Sequence, residues 1–503
     1  MVPNLLRSLH PNPRQETKYV VSINQTLGND VTEENFGKLA GSDSVVNADQ
    51  GPEPTARQKI AIIGTGISGL SAAWLLHQHH DITVYEQNSY IGGHSHTTEV
   101  SIDGKSIAVD TGFIVYNPVN YPNLVALFEH LGVPTKSSEM SFAASLNDGA
   151  LEYSGTNLQG LLAQPLNIFR PRFIRMMRDL FRFYKQAPTL LADQSLRDIP
   201  LRTFLSDHGY SDAFIYDHLM PMGAAIWSSS VQQMLDFPTL AFMRFFDNHG
   251  LVQLSNRPEW RTVDGGSREY VRRLTDSFAD RIRLNQAVSS IERVNGKHVV
   301  SSDDGSREDY DHVVLACHAD QALNLLQEPT ADEQATLGNI PYQPNKAILH
   351  TDINLLPTRK RAWASWNYLG SGSDRDSQQL CVTYLMNSLQ GLPTDKPVLV
   401  TLNPCKTINP DKIIQSYDYD HPLFNVAAIE SQPKLWGLQG KQNTWFCGAY
   451  FGSGFHEDGI QAGLAVAEKL GGHKRPWTVM NPSTRVGLSA EGQLLTQLEA
   501  CPA

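Results

Sequence analysis

Two short apolar runs frame the first half of the chain. Lys59-Ile60-Ala61-Ile62-Ile63 has no polar alternation, which predicts a strand buried on both faces. Ile82-Thr83-Val84-Tyr85 repeats that pattern after a helical stretch, so a βαβ unit is expected here. Val109–Tyr116 reads as a strand and glycine turn, and Tyr121–Leu131 as a helix stopped by Gly132 and Pro134. Residues 160–250 carry helical periodicity rich in aromatic side chains. Two strand-like runs, Ile282–Val288 and Tyr310–Ala316, bracket a meander with turns at Asn295-Gly296 and Asp304-Gly305. Ala347–His350 and Val398–Leu402 are further strands, and an alanine-rich helix covers Leu464–Leu470. Residues 1–58 are polar and aperiodic, which predicts a flexible extension with a docked element near Tyr19–Ile23. Residues after His473 read as a peripheral tail.

Between the first two strands stands Gly64-Thr65-Gly66-Ile67-Ser68-Gly69. In a G-x-G-x-x-G turn the first glycine permits the tight bend and the second lets backbone approach a pyrophosphate. The third lets helix pack on strand. The helix N-terminus offers free N–H groups and positive dipole to phosphate. Glu86 closes the second strand about 20 residues later, where a carboxylate accepts from both ribose hydroxyls, with Gln87 beside it. NAD and FAD share this fingerprint.

Other residues favour FAD. Gly92-Gly93, followed by His94 and Thr97, resembles the extended motif of FAD enzymes related to amine oxidases, phytoene desaturases and protoporphyrinogen oxidases. That family places an arginine where His94 stands, so one pyrophosphate-neutralising charge is absent. At the other end, Trp445–Tyr450 followed by Gly452–Gly463 is similar to the family's C-terminal flavin motif. The resemblance implies that Gly448 approaches the pyrophosphate and that the N–H groups of Gly459 and Ile460 face the pyrimidine edge of the flavin. It also implies that Gly112 and Phe113 return to the flavin, that Val288 holds the adenine, and that Ala316 ends a strand at the cofactor. Phrases such as Asp110–Asn117, Tyr121–Leu124, Trp363–Tyr368 and Gly454–Gly459 narrow the likeness. They resemble bacterial FAD-binding oxidoreductases similar to the flavin-type N-terminal half of plant cyclopropane fatty acid synthases.

The implied fold is α/β (α+β overall), a Rossmann-type FAD-binding domain interleaved with a mixed-sheet and helical substrate domain. After the 1–58 extension, residues 59–115, 264–335 and 441–472 are expected to build the cofactor domain. Residues 116–263 and 336–440 would build the substrate domain, with 473–503 as tail.

Composition sets outer limits. The 503 residues are 41% hydrophobic and 18% charged, as in ordinary globular proteins. A net charge of −11 argues against nucleic acid as a partner. The five cysteines (317, 381, 405, 447, 501) show no C-x-x-C and suit a reducing compartment, so a cytoplasmic location is expected. No His or Cys pattern predicts a metal. Cys447 lies away from the position of a covalent flavin cysteine in the resembled enzymes, so FAD is expected to be non-covalent.

Two residues are candidate catalysts. Lys346 stands in a context similar to the lysine that reaches flavin N5 through water in amine oxidases; otherwise it is a solvated strand-edge lysine. His456, in the run His456-Glu457-Asp458, is placed to act as general base, or else as a structural donor with Asp458 as helix N-cap. Phe455 falls where classical amine oxidases put a tyrosine of their amine cage, and a phenyl ring suits a hydrocarbon better. The expected reaction is hydride transfer from a C–H bond of a fatty acyl or other lipid substrate to flavin N5, with oxygen or a quinone as acceptor. Alternatives are amine oxidation, redox-neutral double-bond isomerisation, and a non-catalytic flavoprotein supporting a lipid methyltransferase. Pro165–Lys185 carries six basic residues against Asp179 alone, interleaved with aromatic and apolar side chains. It reads as either a peripheral membrane contact or a helix packed on the core with its arginines in water.

Overall fold

The computed structural model describes residues 56–155, 157–227, 229–253, 257–371 and 379–488. The expected element at Tyr19–Ile23 lies outside them. A five-stranded parallel sheet runs in the order Thr444–Phe446, His312–Leu315, Lys59–Ile63, Asp81–Tyr85, Ile282–Arg283. Ile60 pairs with Ile82 on one side and His312 on the other, so the first strand is central and loses solvent on both flanks. Its apolar side chains are the physical reason it can sit there.

The helix Ile67–Leu76 is buried along its whole length. It lies between that sheet and the helix His456–Lys469, and glycines allow the contact. A Cβ on Gly69 would stand 2.0 Å from the Gly64 carbonyl oxygen, and one on Gly463 would stand 2.2 Å from that of Ser68. The meander, Val288–Val294, Lys297–Ser302 and Arg307–Tyr310, turns at Asn295-Gly296, both left-handed as that dipeptide predicts.

A second, seven-stranded sheet runs Ile413–Pro422, Tyr342–His350, Leu399–Leu402, Gln379–Leu385, Trp366–Ser371, Phe142–Leu146, Leu151–Ser154. All its pairings are antiparallel except Trp366–Ser371 with Phe142–Leu146. Helices between residues 158 and 248 share its core, chief among them Pro171–Ala192. Each sheet organises its own hydrophobic core, and Phe455 packs against both.

The stretch after His473 is not peripheral up to residue 488. Trp477 stacks on Trp74 at 5.7 Å, and Arg475 pairs with Glu468 at 2.8 Å. Arg485 pairs with buried Asp458 at 3.0 Å. Proline-rich composition suggests a tail, but these side chains find partners only when the closing helix is in place. Among the described residues no helix is long and apolar enough to cross a membrane.

Candidate active site

A cavity of about 1220 Å³ runs from the G-x-G-x-x-G turn into the space between the second sheet and the helices. At its nucleotide end the wall includes Gly64, Gly66, Ile67, Ser68, Glu86, Gln87, Gly92 and Gly93. His94, Gly112, Phe113, Val288, Ala316 and Gly448 join them. Sheet topology explains the convergence: three parallel strands deliver Gly64, Glu86 and Ala316 to one edge. Gly66 has extended backbone (φ −64°, ψ 174°), and a Cβ there would meet no protein atom within 4 Å. Glu86 is 6% exposed. One carboxylate oxygen accepts from the Thr65 amide (3.1 Å) and the other from the Asn88 amide (2.9 Å), which fixes the side chain beside the turn.

Five residues on the cavity wall hold buried polar atoms with no protein partner: His94 Nε2, His318 Nδ1, Trp227 Nε1, Trp366 Nε1 and the Tyr450 hydroxyl. Unpaired buried polar groups are costly, so such a cluster is what a polar ligand satisfies. His94 packs beside Tyr419 (4.9 Å) and His421 (5.6 Å). Burial holds His94 well below the usual imidazole range, with His421 and His318 adding to the effect.

Five expected site residues do not line the cavity. Gly69 and Gly459 are packing glycines; a Cβ on Gly459 would stand 2.8 Å from Ile67 Cγ2. The Gly459 amide donates to the Phe455 carbonyl (3.1 Å), because the helix starts at His456 rather than later. Ile460 is fully buried in the core. The amides left without an intrahelical acceptor are therefore those of the first turn, at His456, Glu457 and Asp458. Thr97 donates to Asp110 (2.6 Å) and accepts from the Arg268 amide (3.0 Å), a structural knot behind the wall. Lys346 is exposed: alternation along its strand buries Asn345 and Ala347 and turns the lysine outward. No lysine is among the described residues that line the cavity. Lys346 stands exposed at the strand edge, outside the cavity lining.

His456 does reach the wall. Its ring stacks on Phe113 at 3.7 Å, and Nε2 is engaged by the Ser95 hydroxyl (2.8 Å) and that of Tyr270 (3.1 Å). Burial pushes its pKa down to about 3. The imidazole is therefore held neutral, with Nε2 tied to two hydroxyls. Asp458 is not the N-cap; from the third helical position it accepts from the Phe455 amide (2.8 Å) and the Ser453 amide (3.0 Å). Glu457 caps a different helix, accepting from the amides of Asn123 (3.1 Å) and Leu124 (3.1 Å) at the start of Pro122–His130.

The far end of the cavity is apolar, with Met177, Leu180, Phe181, Met222, Ile226 and Phe245 on its wall. Phe455 stacks on Phe245 at 5.1 Å, and Trp366 meets Tyr384 edge-on at 4.9 Å. Tyr368, by contrast, is buried in the core away from the wall. Sequence reasoning does not single out His249. It lines this end, its Nδ1 bonds the Phe245 carbonyl (2.9 Å), and burial lowers its pKa to about 4. That bond assigns the proton to Nδ1 and leaves the Nε2 lone pair free. Its position four residues after Phe245 on a helix is the only local signal, and it is a common structural pattern. Among the described residues no cluster of histidine, cysteine and carboxylate groups is arranged to hold a metal.

Comparison with known proteins agrees with this fold. A fatty acid isomerase from P. acnes that produces CLA has the same fold over 83% of this chain and 99% of its own, at TM-score 0.58 and 16% identity. Cyclohexylamine oxidase from Brevibacterium oxydans matches over 82% and 99%, at TM-score 0.57 and 16% identity. Tryptophan 2-monooxygenase of Allorhizobium ampelinum is 34% identical over 84 residues, which is 16% of this chain and 11% of that protein. The model of the flavin containing amine oxidoreductase family matches residues 67–406, well over half the chain. The chain therefore belongs to that family and is an FAD-dependent oxidoreductase.

Proposed function

We propose that the protein oxidises a C–H bond of a fatty acyl or similarly hydrophobic substrate, giving desaturation. The observation that carries this reading is the apolar, lysine-free far end of the cavity. Besides Glu86, the charged residues on the cavity wall are Arg257, Glu259 and Asp418, which are exposed, and Asp420, which is half-buried. A substrate ammonium would find no carboxylate among the apolar walls, and burying an unpaired charge is costly. An acyl chain finds walls that are mostly aliphatic and aromatic, broken by His218 and His249, and a carboxylate head suits Arg257 at the rim.

Gly64–Ser68, Glu86, Gln87, Gly92, Gly93, Gly112, Phe113, Val288, Ala316 and Gly448 would hold FAD. His94, where the family has arginine, and His318 would donate to it. Bound FAD supplies a two-electron acceptor for a hydride leaving the substrate. His249 Nε2 takes the vicinal proton, so that one C–C double bond forms as two C–H bonds break. Phe455, Phe245 and Trp366 confine the chain and exclude water. Dioxygen or a quinone is the proposed terminal acceptor. The proposed setting is the cytoplasm, with the protein acting at the membrane surface beside lipid-modifying methyltransferases.

A second reading, redox-neutral double-bond isomerisation, is favoured by the shared fold of the CLA-producing isomerase. The experiment is anaerobic flavin absorbance with saturated and unsaturated fatty acids, their phospholipids, and amines, followed by product analysis. Bleaching by a lipid supports desaturation. A lipid product without lasting bleaching means isomerisation. Bleaching by amines alone overturns the acyl reading. A bound flavin that answers none of them leaves a flavoprotein partner without turnover of its own.

A further inference from the structure

The basic stretch Pro165–Lys185 forms a short 3-10 turn, Pro165–Phe169, and most of the helix Pro171–Ala192. Phe173, Met176, Leu180 and Phe183 turn into the core. The other face is unusual for a surface helix, because it exposes large apolar side chains as well as charges. Phe169 is 74% exposed, Leu166 68%, Ile174 53% and Phe181 50%. Of the fourteen large hydrophobics exposed among the described residues, six fall between residues 158 and 181. Such clustering marks an interaction surface rather than the usual scatter of single residues.

Helical geometry sets the charges around this apolar face. Ile174, Arg178, Phe181 and Lys185 follow i, i+4, i+7, i+11 and share one side. Arg172 is paired with Asp217 and Arg182 with Asp179. Arg175 and Lys185 have no ion-pair partner among the described residues. Phe181 belongs to two places at once: it is half exposed on this face and it lines the cavity, which Met177, one turn earlier on the helix, and Asn157 also line. The apolar end of the cavity therefore opens on the apolar, basic face.

We propose that this face docks on an anionic lipid bilayer, so that the cavity mouth meets the membrane and an acyl chain enters past Phe181 without crossing water. Charge complementarity selects the occupant: Arg172 is tied to Asp217, and Arg178 and Arg182 share Asp179, but the exposed Arg170, Arg175 and Lys185 face lipid phosphate, while Phe169 and Ile174 reach the acyl boundary. The net charge of −11 does not prevent this, because at physiological salt it is screened beyond about 8 Å and the basic face is the part in contact. What passes through the mouth rests on the acyl reading; the docking does not, and it is tested without turnover.

The test is flotation of the FAD-loaded protein with vesicles of phosphatidylcholine, with or without phosphatidylglycerol, at low and high salt. Binding is expected only with the anionic lipid, and to weaken as salt rises. Arg175→Gln and Lys185→Gln should each weaken it about fivefold, since a basic residue at an anionic surface contributes about 1 kcal/mol. Phe169→Asp and Ile174→Asp should weaken it more than tenfold. Ile413→Asp, on an exposed strand of the second sheet, should leave it unchanged. Absence of binding at low salt overturns the proposal, as does equal loss in Ile413→Asp or salt-independent binding. If docking succeeds while amines alone bleach the flavin, the acyl reading fails and the membrane surface stands.

Discussion

Replacing Gly66 with alanine separates the cofactor's demand on the turn from the fold's. The backbone there is extended and the space beyond its Cα holds no protein atom within 4 Å, so a methyl group meets nothing in the apoprotein. Alanine restricts the unfolded chain, worth about 0.4–1 kcal/mol. It is a poorer N-cap than glycine by about as much. The two offset, and apoprotein stability should change by less than about 1 kcal/mol. Gly69→Ala is the contrast: its Cβ would stand 2.0 Å from a backbone carbonyl that cannot rotate away, and overpacking costs about 1–3 kcal/mol or more. FAD supplies the discriminating readout. Ligand at 100 times its Kd stabilises by about 2.7 kcal/mol. If the Gly66 methyl weakens FAD a hundredfold, the same concentration gives only about 0.4 kcal/mol. Thermal melts with and without FAD should therefore show a normal apoprotein Tm and almost no FAD-induced rise for Gly66→Ala, and a lowered apoprotein Tm for Gly69→Ala. Wild-type FAD stabilisation in Gly66→Ala would refute the assignment of that space to the pyrophosphate.

Lys346→Met should reduce its flavin at the wild-type rate in stopped-flow absorbance, because the side chain stands in solvent. His249→Asn should slow flavin reduction at least a hundredfold while FAD stays bound, as loss of a general base does. Acid should destabilise the apoprotein early. Buried His218, His249, His421 and His456 are held down to about 4, 4, 4 and 3, so between those values and about 6.5 the unfolded chain binds more protons than the fold. Their contribution is full above pH 6.5 and is lost as pH falls towards 4, at about 1.4 kcal/mol per histidine per unit. Asp110, pushed up to about 6 by burial, opposes them as a single group, and Tm across pH 8 to 5 measures the balance. Arg485→Met leaves the buried Asp458 carboxylate without its cation and should cost about 3–5 kcal/mol in denaturant unfolding. Cys381 and Cys405 hold their sulfurs 2.8 Å apart, and mild oxidation should remove two of five titratable thiols.

The nucleotide end of the site is legible in the sequence. Its determinants are local: Gly64 to Gly69 bend the chain, apolar strands on either side bury themselves, and Glu86 sits at a distance fixed by one βαβ unit. The Asn295-Gly296 turn is legible for the same reason, since its backbone conformation depends on two residues. Placement across the chain is not. Lys346 has a sequence context like that of a catalytic lysine, but only the pairing of its strand decides which way an alternate residue points. Gly459, Ile460 and Thr97 sit in the right motifs and yet stand behind the wall, because the start of the last helix and the docking of Asp110 are tertiary facts.

His249 and the docked Arg485 mark the limit most clearly. Nothing adjacent in sequence distinguishes them; burial among distant elements gives one a free lone pair in an apolar chamber and the other a buried carboxylate to neutralise. Sequence by itself determined a dinucleotide-binding turn and the parallel sheet that presents it, because short-range sterics and hydrophobic periodicity fix both; the choice of FAD over NAD came from the resemblance to a flavoprotein family. Only the tertiary structure decided which polar groups reach the cavity and where it opens, because burial and partner choice arise from contacts between residues far apart in the chain.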